Sequence, residues 1–116
     1  MIHGTGIDIV EISRIKQAID RWGDDFISKI FNPQEIKYAR LHTKNSYQHF
    51  AARFAVKEAV FKAIGDEKVT WKDLTVTNDK NGKPSCRFNN KKFKKKIFIS
   101  ISHSKHYAVA SAIVSS

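Results

Sequence analysis

Cysteine is almost absent from this chain. Cys86 is the only one in 116 residues, which excludes an internal disulfide and any cysteine-based zinc site and suits a reducing compartment. No stretch approaches the roughly 18 apolar residues of a membrane-spanning helix. The opening Met1-Ile2-His3-Gly4 also lacks the basic-then-apolar pattern of a secretory signal. The expectation is a cytoplasmic protein with no membrane partner. Glycine and proline are scarce, at five and two residues, and there is neither a long linker nor an internal repeat. The length suits one modest core, so residues 1–116 are expected to form a single domain.

Negative charge is also in short supply. Eleven Asp and Glu face 21 Lys and Arg, for a net charge of +10. The imbalance is local: residues 1–50 hold seven basic and six acidic side chains, residues 51–116 fourteen and five. A field of that sign concentrates anions, whether nucleic acid, phosphorylated small molecules or an acidic protein, and charge alone does not choose among them. The densest run, Lys91 to Lys96, reads first as a solvated loop or strand end.

What is present has a clear order. Ile2 to Val10 alternates as a strand, with Ile7 and Ile9 on one face and Gly4, Gly6 and Asp8 on the other. Ser13 is an expected N-cap for a helix carrying Ile15, Ile19 and Trp22, and a helical pattern continues from Asp24 to Phe31. Asn32-Pro33-Gln34-Glu35 supplies a cap, a proline at the first helical position and a glutamate at the third. Ser46 opens a longer helix that runs to Ile64, with Gly65 just beyond it. Strands follow at Leu74–Thr77 and Pro84–Phe88 around the Asn81-Gly82 turn, then at Ile97–Ser102 and Tyr107–Val114. A strand, then helices, then strands predicts an α+β fold, an antiparallel sheet covered by helices.

The long helix carries the most information. At 100° per residue Phe50, Phe54 and Phe61 share one face, and Ala52, Val56, Ala59 and Ala63 line roughly the opposite one. A helix apolar on two sides is buried between layers. It nevertheless carries Arg53, Lys57, Glu58 and Lys62, and buried charge is expensive unless paired or bound. One reading is a surface Glu58–Lys62 pair at i,i+4. The other is a site where a carboxylate takes a metal and cations take phosphate. Asp8 has glycine two and four residues before it on the same face, leaving room for a ligand or for another backbone. Asp8 and Glu58 together would offer two hard oxygen ligands, a set that suits Mg²⁺ beside a diphosphate.

Four blocks then resemble one known family, the holo-acyl-carrier-protein synthases, the short 4′-phosphopantetheinyl transferases. They are GTGIDIVEISRI (Gly4 to Ile15), FAARFAVKEAVFKAIG (Phe50 to Gly65), NGKP (Asn81 to Pro84) and ISISHSKHYAVA (Ile99 to Ala110). The resemblance implies that Asp8 and Glu58 bind Mg²⁺, and that Lys62 meets the coenzyme A diphosphate. It further implies that Arg53, Lys57 and Gly65 help hold the nucleotide phosphates, that His103 lies near the coenzyme, and that the chain forms a homotrimer with sites between subunits. The reaction would be attack of a carrier-protein serine on coenzyme A, with Glu58 or a water on the metal taking the proton. Arg14 matches a carrier-contacting position, and Lys16 and Arg21 on the same helix would extend that basic surface toward an acidic acyl carrier protein. One feature departs from the family: Gly65 leads into Asp66-Glu67-Lys68 with no second glycine. Two rival classes remain at this point. A small nucleic-acid-binding protein would account for the charge but leaves Asp8 and Glu58 without a role, and no nucleic-acid motif is found. A coenzyme-binding module without catalysis would have no need of Asp8, Glu58 and Lys62 together.

Overall fold

A computed structural model describes residues 1–65, 68–90 and 92–116. Asp66, Glu67 and Lys91, hence the acidic step after Gly65 and the first lysine of the 91–96 run, lie outside the described residues. The order is β1 (Ile2–Glu11), α1 (Ile12–Trp22), α2 (Asp24–Ile30), α3 (Pro33–Leu41), α4 (Ser46–Ile64), β2 (Leu74–Asn78), β3 (Pro84–Phe88), β4 (Lys96–His103) and β5 (Tyr107–Ser115), with 3₁₀ turns at Thr43–Asn45 and Trp71–Asp73. The α+β expectation holds, with one correction. There are two antiparallel sheets, β1-β5-β4 and β2-β3. The outward N–H of Val76 on β2 donates to Glu35 Oε2 of α3 at 2.8 Å, a bond that would otherwise seek a further strand.

Local chemistry explains most of the boundaries. Glu35 Oε1 accepts the Asn32 N–H at 2.8 Å, so the expected start of α3 is built as read. Asn32's own amide instead donates to the Leu74 carbonyl and Thr75 Oγ1, both at 2.9 Å, and ties α3 to β2. α1 begins one residue before Ser13, after Glu11, with no side-chain cap. The Glu11 backbone is still laddered to Tyr107, so the strand passes straight into the helix and Ser13 falls in its first turn. Gly65 ends α4 at φ 78°, its N–H donating to the Phe61 carbonyl at 3.0 Å, a left-handed close that suits glycine. Gly82, at φ 86°, turns the β2–β3 hairpin.

Helix α4 is the middle of the molecule, as its two apolar faces require. Phe54 and Phe61 pack on Trp71, with ring centroids 5.0 and 4.8 Å apart, and Phe50 packs on Phe31 at 5.0 Å. The alanine face lies on the inner face of the larger sheet, which is itself built of small residues: Ala108, Ala110, Ala112 and Val114 on β5, all buried. On β1 the glycine face is the inner one. A Cβ on Gly4 or Gly6 would overlap the backbone carbonyls of Ala63 and Ala59 respectively. Ile7 and Ile9, 64% and 63% exposed, therefore point outward, with Phe98 and Ile113 also exposed on the two neighbouring strands. Among the described residues no helix is long and apolar enough to cross a membrane.

Candidate active site

The two glycines that let β1 approach α4 also deliver Asp8. Of the two readings of that glycine pair, the structure selects close backbone packing. Asp8 follows on the same face, where the helix surface changes from alanine to the charged edge of Glu58 and Lys62. Lys62 Nζ donates to the Ile7 carbonyl at 3.0 Å and lies 3.3 Å from Asp8 Oδ1. The Asp8 side chain is only 15% exposed. Asp8, Glu58 and Lys62 line one open cavity of about 550 Å³ together with Arg14, Phe54 and Tyr107.

The charge of Asp8 is felt at Glu58. Burial first, then the negative charge of Asp8, raises the Glu58 carboxyl above the usual range, and Lys62 acts in the opposite direction. A divalent cation between them would relieve that repulsion. Among the described residues no three His, Cys, Asp or Glu side chains gather into a metal cluster. Two carboxylates are the donor set Mg²⁺ commonly takes, with waters and phosphate oxygens completing its shell. The residues present fit that ion.

Other expected site residues fall elsewhere. Lys57 is a correction. It is fully buried, and its ammonium donates to Glu35 Oε1 and the Ile30 carbonyl, both at 2.7 Å, and to the Trp71 carbonyl at 3.0 Å. All three protons are committed to the protein interior, so none remains for a phosphate. Arg53, 2% exposed, is turned inward in the same way. It donates to Asn78 Oδ1 at 2.6 Å and lies 4.3 Å from the centre of the Tyr38 ring. Its neighbours Tyr38, His42 and His49 form an aromatic cluster that no local pattern in the chain marks. Burial there, and then the Arg53 charge, pushes His49 down to about 4, so a neutral ring sits beside the buried guanidinium.

His103 is exposed at the end of β4, with Gln48 Nε2 2.9 Å from its Nδ1. It pairs with Ala108, whereas Asp8 pairs with Ala110, so a full strand separates it from the carboxylates. It does not line their cavity. Gly65 serves as the close of α4, where an added Cβ would meet no atom of the described residues within 4 Å. On α1, Arg14 lines the cavity and is 4.0 Å from Glu11. Arg21 stacks on the exposed Trp22 at 4.9 Å and shares a face with Arg14, seven residues away. Lys16 falls off that face and is held by Asp20 at 3.0 Å. Tyr107 and Phe26 complete the cavity wall; nothing local in the sequence marks either one.

Residues 4–112 match the model of the 4′-phosphopantetheinyl transferase superfamily. A holo-[acyl-carrier-protein] synthase of Thermodesulfovibrio yellowstonii is 47% identical over 115 residues, covering 98% of this chain and 99% of its own. One from Protochlamydia amoebophila is 42% identical over the whole of both chains. Among solved structures, a Bacillus anthracis holo-(acyl-carrier-protein) synthase in complex with CoA (3′,5′-ADP) superposes with a TM-score of 0.86 at 37% identity, covering 100% of this chain and 98% of that one. A Helicobacter pylori holo-[acyl-carrier-protein] synthase in complex with coenzyme A gives 0.82 at 30% identity, covering 96% and 99%. With the fold, the glycine-guided strand and the Asp8–Glu58–Lys62 edge all in place, the chain belongs to the 4′-phosphopantetheinyl transferase superfamily, among its holo-[acyl-carrier-protein] synthases.

Proposed function

We propose that the chain transfers the 4′-phosphopantetheine arm of coenzyme A to a serine of an apo acyl carrier protein, with Mg²⁺ held by Asp8 and Glu58. The observation that carries this reading is the meeting of those two carboxylates and Lys62 in one cavity whose wall includes Arg14 of α1. The serine Oγ attacks the β-phosphorus of coenzyme A, the diphosphate bond breaks, and adenosine 3′,5′-bisphosphate leaves. Transfer of this kind is mostly positioning and charge stabilisation. Mg²⁺, if held by Asp8 and Glu58, would neutralise charge on the diphosphate. Lys62 leaves its contact with Asp8 to place its ammonium on the same oxygens. The serine hydroxyl proton passes to Glu58 or to a water held beside it in the cavity.

Apo carrier protein incubated with the chain, coenzyme A and Mg²⁺ is expected to gain the mass of one phosphopantetheine, and to gain nothing when EDTA is present. A folded sample that leaves the carrier mass unchanged with metal supplied contradicts the reading.

Arg14 and Arg21, on one face of α1, make the basic surface on which the acidic carrier docks, Arg14 standing nearest the reacting groups and Lys16, paired with Asp20, lying beyond its edge. Attraction between exposed charges is screened over about 8 Å at physiological salt. Raising NaCl from 50 to 500 mM is therefore expected to lower kcat/KM for the carrier about tenfold or more, with kcat at saturation little changed. A salt-independent kcat/KM would remove these residues from docking.

The outward apolar row of Ile7, Ile9, Phe98 and Ile113 supports association into a homotrimer through the larger sheet. In such a ring the exposed His103 and Gly65 of one subunit would be free to approach the coenzyme held by its neighbour. Sedimentation equilibrium is expected to give about three times the 13.3 kDa chain mass. A monomer at micromolar concentration contradicts the trimer and leaves the metal site intact.

A further inference from the structure

The interior of α4 contains charge chemistry that the reaction does not use. We propose that Lys57 is a positioning residue: with Glu35 it fixes the rotation and register of α4, and so sets the Glu58 carboxylate against Asp8. This rests on the reading of Asp8 and Glu58 as the metal ligands.

α4 lies on β1 and β5 through Ala59, Ala63, Gly4, Gly6 and the β5 alanines. Small side chains set how near the two backbones come, but they offer few knobs and holes to resist sliding or turning. The aromatic contacts opposite are apolar and tolerate small shifts. Directional bonds are what fix a rotation, and on α4 the fully buried ones belong to Lys57. Its three protons go to three separate places: the last residue of α2 (Ile30 carbonyl, 2.7 Å), the 3₁₀ turn (Trp71 carbonyl, 3.0 Å) and α3 (Glu35 Oε1, 2.7 Å).

Glu35 is fixed in turn by two backbone donors, Asn32 N–H and Val76 N–H, both at 2.8 Å. One ammonium thus joins α4 to α2, to the 3₁₀ turn and to α3, the last through a carboxylate that β2 also holds. The geometry is demanding because Glu58 is the next residue along. Turning a helix by about 20° carries a carboxylate on a ~6 Å radius through about 2 Å, and Mg²⁺–oxygen bonds of about 2.0–2.1 Å do not accommodate that displacement.

The test measures metal binding directly. Calorimetric titration of Mn²⁺, a spectroscopically useful substitute for Mg²⁺, into coenzyme-free protein is expected to show at least a tenfold weaker Kd for Lys57→Met than for the unaltered chain. Measurements are made at 10 °C, where circular dichroism reports the fraction folded. Leu74→Ala, a comparable loss in the core far from the carboxylates, controls for destabilisation and is expected to keep its Kd within twofold. Should Lys57→Met fail to fold, Glu35→Gln retains one acceptor oxygen, removes the countercharge and is expected to weaken Mn²⁺ several-fold. In transfer assays kcat is expected to fall while KM for coenzyme A stays nearly constant, because Lys57 touches no phosphate.

A folded Lys57 or Glu35 variant with unaltered Mn²⁺ affinity overturns the proposal while leaving the metal site standing. So does a rise in coenzyme A KM alone, which would make Lys57 a phosphate ligand. An unaltered chain that binds no Mn²⁺ overturns the metal-site reading itself, and the positioning role with it.

Discussion

Removing either acidic side chain from the cavity is expected to lower kcat/KM for transfer by about a thousandfold. A metal placed on the diphosphate contributes several kcal/mol to the transition state, and about 1.4 kcal/mol corresponds to each factor of ten. Asp8→Ala and Glu58→Ala each remove one of the two carboxylates proposed to hold Mg²⁺, so both lose that shared contribution. The double variant is accordingly expected to be little worse than either single one, since the pair acts as a unit. Glu58→Gln preserves shape but removes the charge, and is expected to resemble Glu58→Ala. Full additivity of the two single losses in steady-state kinetics would mean that the residues act separately.

Gly6→Ala is expected to be the most damaging single-methyl change in the molecule. The added Cβ would overlap the Ala59 carbonyl and also approach the Ala63 amide. Both obstacles are helix backbone, which has no rotamer to give. The strand and α4 must separate, opening the packing along the alanine track. We expect a loss of about 3 kcal/mol or more, read as a fall in Tm of roughly 10–20 °C. Any folded fraction should also lose transfer, because Asp8 moves with β1 while Glu58 stays on α4. A Gly6→Ala protein with unchanged Tm would contradict the close-packed glycine account.

The fold was legible wherever a local signal had a local cause. Asn32-Pro33-Gln34-Glu35 starts α3, Asn81-Gly82 turns the hairpin, and the two apolar faces of α4 place it between layers because each face demands a partner. The strand pattern of β1 showed two faces without showing which was inward. An alternation of isoleucine against glycine invites isoleucine into the core, yet the glycines face in, because α4 comes too close for any side chain. Division into two sheets was hidden for a related reason: the Val76 N–H finds its acceptor in Glu35, 41 residues earlier.

The site was legible in its charged centre and less so at its edges. Asp8, Glu58 and Lys62 stood out as charges where burial would be costly, and the structure gathers them. Arg53 and Lys57 stood out by the same argument and on the same helix. What separates them from Lys62 is a buried carboxylate 22 residues from Lys57 and an asparagine 25 residues from Arg53. Periodicity assigns a residue to a face but carries no information about a distant partner. Glu35 looked fully explained by its capping position, so its second and third hydrogen bonds went unsuspected.

We propose that one divalent ion sits between Asp8 and Glu58. Binding of Mn²⁺ followed by electron paramagnetic resonance tests it most directly. We predict one tight site per chain in the unaltered protein, competed by Mg²⁺ and lost in both Asp8→Ala and Glu58→Ala. Retention of that site after removal of either carboxylate would place the metal elsewhere and contradict the account.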